Sequence, residues 1–121
     1  MLRDLLTRRQ DLDAVVAAND ESAMGALGAL TEAGLRVPED VVVTGFDNTK
    51  SASLAWPGLT TVDQDLDRQG AAAAEMLLAL VDDGSSEPRE RTVPSRLVVR
   101  GSTAPRGSRL PGRSWSPADL R

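Results

Sequence analysis

The side chains best able to do chemistry in these 121 residues are carboxylates and carboxamides, because the sequence holds no His and no Cys. That excludes thiolate nucleophiles, disulfides, Cys/His zinc sites, haem ligation by either residue and imidazole general-base catalysis. Two polar clusters follow apolar runs. Asn19-Asp20 closes the run AVVAA at 14–18, and Phe46-Asp47-Asn48 follows VVVTG at 41–45. An Asn both donates and accepts, and a carboxylate accepts several hydrogen bonds, so Asn19 with Asp47 suits a ligand carrying several hydroxyls or an amine. A sugar or a nucleoside fits that description. The same residues have plainer uses: Asn19 or Asp20 as a helix N-cap, and Asp47 as the former of an Asx turn.

Nothing in the spacing supports an enzyme. Asp63, Asp65 and Asp67 alternate in DQDLD, faintly like an oxygen-rich cation loop. No Gly occupies the turn position and Leu66 interrupts the series, so no metal site is predicted. Gly25 and Gly28 fall within a helical stretch, where a phosphate loop would have to follow a strand; they read as helix-packing positions. No cofactor is expected.

Charge sharpens the exclusion. Residues 1–103 carry 17 acidic against 10 basic side chains, whereas 104–121 carry four Arg and one Asp. An acidic body is ill-suited to wrapping a phosphate backbone. The Arg-, Pro- and Ser-rich tail has no packable pattern and reads as a disordered end. No run is long enough to span a membrane and no signal peptide is evident, so the chain reads as cytoplasmic.

The elements that would position the two clusters follow from periodicity. Residues 1–10 place Leu2, Leu5 and Leu6 on one side of a helix with no cap at its start. Residues 14–18 read as a central parallel strand buried on both faces. Ala23, Met24, Ala26, Leu27, Leu30 and Ala33 then form a helical stripe, with Gly34 as its C′ residue. The run 41–45 is a second buried strand, so a βαβ unit is complete within about 32 residues. A short helix is predicted over 49–55, an extended segment over 59–62, a strong helix over 66–81 and a strand over 93–99. The length suits one domain, yet about three strands are too few for a stable parallel sheet. Such a piece dimerises or belongs to a larger fold.

In this order, DAVVAANDESAMGALGALTEAGLRVPEDVVVTGFDNT, PGLTTVDQDLDRQGAAAAEMLLALVDDG and VPSRLVVRGST closely resemble the effector-binding domain of the lactose/galactose repressor family, bacterial transcription regulators. The likeness runs from about Leu2 to Thr103. It implies an α/β fold: an incomplete Rossmann-like, periplasmic-binding-protein-like sensor containing parts of both subdomains. Residues 1–62 would end the C-terminal subdomain. Residues 63–103 would supply the crossover, long helix and strand of the N-terminal subdomain and hinge, and 104–121 the tail.

The resemblance further implies that a sugar or nucleobase-like effector is held by Asn19, Asp47 and Gln64, with Leu66 as an apolar cleft wall. Gln64 could equally be a hinge tie. It implies a homodimer through Met24, Leu27, Leu54 and Ala55, although Met24 and Leu27 serve a core as well. Operator DNA would be contacted only through an N-terminal helix-turn-helix domain that this sequence lacks, which makes it a truncated sensor. A fragment of a periplasmic sugar-binding transport receptor is the alternative. One departure is Val99-Arg100-Gly101-Ser102, where the family pattern has Glu in place of Gly101.

Overall fold

In a computed structural model, residues 2–8, 11–83 and 90–103 are described. Eight elements run α1 (Leu2–Arg8), β1 (Ala14–Val16), α2 (Asp20–Glu32), β2 (Val42–Thr44), α3 (Lys50–Leu54), β3 (Thr61–Asp63), α4 (Leu66–Asp83) and β4 (Arg96–Val98). Every predicted element within these residues is present, and the strands are shorter than their apolar runs. The predicted tail at 104–121 lies outside the described residues.

α2 starts where its sequence provides a cap. Asn19 is extended, and its Oδ1 accepts from Ser22 N at 2.8 Å. The helix ends in a Schellman motif: Gly34 N donates to Thr31 O and Leu35 N to Leu30 O, with Gly34 at φ +73°. That left-handed turn is where a residue without Cβ fits. Between the caps, the stripe Ala23, Leu27 and Leu30 packs with Val41, Val43, Ala52 and Leu59 into one aliphatic core.

β1 and β2 pair in parallel with Ala14 opposite Val42, as a βαβ unit requires. A parallel bridge joins Thr44 to Thr60, and Gly45 N→Thr60 O and Asp47 N→Val62 O continue that pairing. β3 then pairs antiparallel with β4, Asp63 opposite Arg96. Ser102 stitches the other end of this arrangement. Its buried hydroxyl donates to Val43 O at 2.6 Å and accepts from Thr60 N at 2.8 Å, while its carbonyl accepts from Val43 N.

One expectation is corrected. The run at 14–18 reads as a strand buried on both faces, yet among the described residues β1 pairs only with β2, and Val16 is 85% exposed. The run is more apolar than the described residues cover. α4 repeats the mismatch: among its described side chains only Ala72 is buried, while Leu66, Leu77, Leu78 and Val81 are exposed.

Candidate functional site

Parallel strands bring their carboxyl ends, and the loops that leave them, to one rim. Here β1 runs on to Asn19, β2 to Phe46-Asp47-Asn48 and β3 to Gln64. Backbone bonds hold the loops together: Asp20 N donates to Phe46 O at 2.8 Å and Asp47 N to Val62 O at 2.9 Å. Of the four residues expected to meet a ligand, Asp47 and Gln64 touch directly, Gln64 Nε2 donating to Asp47 Oδ1 at 2.6 Å. That bond leaves Asp47 Oδ2 to accept from a ligand.

Asn19 reaches the rim by another route. Its Oδ1 is committed to the helix cap, while the exposed carboxamide keeps its N–H groups open to solvent. The cap use and the ligand use are therefore compatible in one side chain. Leu66, the first residue of α4, stands exposed two residues beyond Gln64.

Three residues not singled out as ligand contacts shape this rim. Phe46, the only Phe, is 37% exposed between the two polar loops. Asn48 is tied on three sides. Its N–H donates to Thr61 Oγ1, its Nδ2 to Asp63 Oδ2, and its Oδ1 accepts from Arg100 Nη2 at 2.6 Å. Asp20, expected as a helix-capping residue, is one position inside the helix and fully buried; the cap is Asn19. Its carboxylate accepts from Thr49 N, Thr49 Oγ1 and Thr61 Oγ1. The one sequence signal for this was Gly45, since a Cβ there would fall on Asp20 Oδ1.

The alternating acids do not converge. Asp63 is spent on Asp65 N, Arg96 and Asn48, and the Asp65 backbone bond and then the Arg96 guanidinium hold its carboxyl below the usual range. Asp65 accepts from Arg68 N at 3.3 Å. No three carboxylates among the described residues converge as a metal-ligand group.

The residues expected at a subunit interface separate. Leu27 is 7% exposed inside the core, so its surface is already used; the helical stripe has only one inward face, and Leu27 is on it. Met24 and Ala55 are half-buried against that core, and Leu54 is 74% exposed. Gly101 lies where a Cβ would come within 3.1 Å of Pro57 Cβ, so the close approach of two chain segments suits Gly in place of Glu. A concavity of about 960 Å³ lies between α1, β1 and α2, reaches Ala18 and Ser22 beside Asn19, and is lined largely by apolar residues such as Leu2, Leu5, Leu12, Val16 and Ala26. It offers little to a hydroxylated ligand.

Residues 2–103 match the family model described as periplasmic binding protein-like domain. The chain belongs to that family. Among its relatives, the HTH-type transcriptional repressor PurR of Edwardsiella ictaluri is 39% identical over 103 residues, 85% of this chain and 30% of that protein. The HTH-type transcriptional regulator CelR of Thermobifida fusca is 39% identical over 101 residues, 84% of this chain and 30% of that one. Among solved structures, the transcriptional regulator CelR–cellobiose complex superimposes with a TM-score of 0.79 at 39% identity, covering 84% of this chain and 31% of that one. A lac repressor dimer bound to operator and the anti-inducer ONPF gives 0.76 at 36% identity, over 84% and 30%. The relatives are LacI-family transcriptional regulators, and the chain spans about 30% of the length of these curated proteins.

Proposed function

We propose that this member of the periplasmic-binding-protein-like family is the effector-sensing portion of a DNA-binding transcriptional repressor, responding to a sugar or similar small polar molecule. The observation that carries the reading is the rim: Asp47 and Gln64, from loops after different strands, meet at 2.6 Å beside the Asn19 loop. An acceptor, a donor–acceptor carboxamide and a second carboxamide are what a polyhydroxylated ligand needs. A relative at 39% identity has been solved with cellobiose, which supports the carbohydrate class. The transport-receptor alternative has no such support, because the relatives are HTH-type regulators.

The protein acts by binding and has no turnover of its own. It works in the cytoplasm as a homodimer, with exposed Leu54 and part of Met24 facing the second subunit. Operator DNA is read by another part of the regulator, consistent with the acidic balance of residues 1–103. Residues 1–62 form the end of one sensor subdomain, and 63–103 lead to the other. This rim is one wall of a cleft, so the affinity of the 121-residue chain is weak, with a Kd above about 1 mM, or roughly −4 kcal/mol.

The test is a titration of the isotopically labelled chain with cellobiose, lactose, glucose and adenine, followed by NMR. The side-chain amides of Asn19 and Gln64 and the backbone of Phe46–Asn48 should shift, and Asp47→Ala should abolish the response. Shifts centred on the apolar groove, or none at the rim near the solubility limit of each compound, would overturn the proposal.

A further inference from the structure

A fully buried carboxylate that no ligand could reach sits directly behind the rim. Asp20 Oδ1 accepts from Thr61 Oγ1 at 2.6 Å, and Oδ2 accepts from Thr49 N at 2.7 Å and Thr49 Oγ1 at 3.0 Å. Its own N–H donates to Phe46 O. One residue thus joins the segment after β1, both ends of the loop after β2, and β3. Thr61 extends the set, since its hydroxyl accepts from Asn48 N at 3.2 Å while donating to Asp20.

The loop held this way is strained. Asp47 has φ +107°, a value that side-chain-bearing residues adopt only when their surroundings impose it, and Asn48 follows at φ +52°, in the left-handed region that Asn tolerates. Asp47 is the residue whose carboxylate faces the ligand rim. We propose that Asp20 is a positioning residue: through Thr49 and Thr61 it holds the Asp47–Asn48 turn in the strained form that presents the Asp47 carboxylate beside Gln64. The inference rests on reading the rim as the effector site.

The donor pattern explains why the residue is Asp. All three partners of its carboxylate, one backbone N–H and two hydroxyls, donate to it, and a carboxylate only accepts. In Asp20→Asn the amide nitrogen must meet either the Thr49 donors or the Thr61 hydroxyl, and in the second case the Thr61 proton loses its acceptor. Gly45 completes the arrangement, because a Cβ there would occupy the place of Asp20 Oδ1.

The experiment measures amide hydrogen exchange in the whole chain for Asp20→Asn, Thr61→Val and Thr61→Ser, with a sugar titration of each. Asp20→Asn and Thr61→Val should speed exchange at Asn48 and Thr49 about tenfold, the effect of losing one buried hydrogen bond, while Val43 and Leu35 stay near the parent rate. Thr61→Ser, which keeps the hydroxyl, should restore slow exchange. Sugar-induced shifts at Asp47 and Gln64 should weaken in the first two variants and return in the third. Uniform acceleration at all four amides, unchanged exchange at Asn48 and Thr49, or failure of both disruptive variants to fold would overturn the proposal. Selective loop loosening in a chain whose parent shows no sugar-induced shift would support Asp20 as the loop's anchor and reject the effector reading instead.

Discussion

Two regions of this chain obey different rules. Around α2, β2 and α3, the aliphatic stripe closes on itself, and the buried polar groups of Asp20, Thr60, Thr61 and Ser102 are all hydrogen-bonded. Along β1 and α4, apolar side chains of the same types stand in solvent. Amphipathic patterning is stronger in α4 than in α2, so patterning does not explain which of them is buried. What separates them is whether the described residues supply an opposing surface. Stability should therefore concentrate in the first region, although both look alike in composition.

The sharpest way to break that comparison is to make one chemical change in each region. Leu59→Ala empties a fully buried site in the core and should cost about 3 kcal/mol, within the usual range for a buried leucine. Leu78→Ala removes the same atoms from a side chain that is 64% exposed on α4, and should change stability by less than about 0.5 kcal/mol. Urea denaturation midpoints of the two variants decide it. Equal losses would mean that α4 contributes to the folded core as much as the segment leading into β3 does, and the division would fail.

A second change probes how tightly the core region is filled. Gly45→Ala puts a Cβ onto Asp20 Oδ1 and within 3.0 Å of Leu59 Cδ2, neither of which is a free end able to swing away. A loss of about 2 kcal/mol is expected from overpacking, read as a lower urea midpoint with an unchanged slope. The parallel change Gly28→Ala, at an exposed helical position with open space around it, should be neutral or slightly stabilising.

That contrast between glycines marks what the sequence could and could not reveal. The helical stripe, a cap at Asn19 or Asp20, the Gly34 stop and the parallel pairing of 14–16 with 42–44 were all legible, because each depends on local chemistry or on period. Asn19, Asp47 and Gln64 came from the family resemblance, with strand ends alone pointing to the first two. The role of Asp20 was hidden. Its partners Thr49 and Thr61 lie 29 and 41 residues away, and no periodicity links a carboxylate to two threonines. The burial of β1 was misread for a related reason, since a strand's apolar run records the neighbours it suits and does not say whether this chain contains them.

The smallest expected effect separates the regions electrostatically. Asp40 sits in the turn before β2, where Arg36 donates to both of its oxygens at 2.7 and 2.9 Å. The Arg36 side-chain bond, with the Arg36 backbone N–H, holds its carboxyl down at about 2, against about 4 for an ordinary Asp. A carboxyl lowered by folding contributes stability that is complete above its unfolded value and is lost as pH falls through its folded value. The Arg36–Asp40 contribution is therefore intact above about pH 4 and disappears toward pH 2. Asp63, lowered by the Asp65 backbone bond and Arg96, titrates in the same sense but ties β3 to β4, away from the core stripe. Asp40→Asn should lower stability slightly at neutral pH and flatten its decline between about pH 4 and pH 2. Asp63→Asn should likewise reduce the loss of stability on acidification, with its local effect confined to exchange at β3 and β4. If acidification instead loosens Val43 and Val98 amides together in both variants, β4 opens with the core as one cooperative unit, and the loss at Asp63 is not local to β3 and β4.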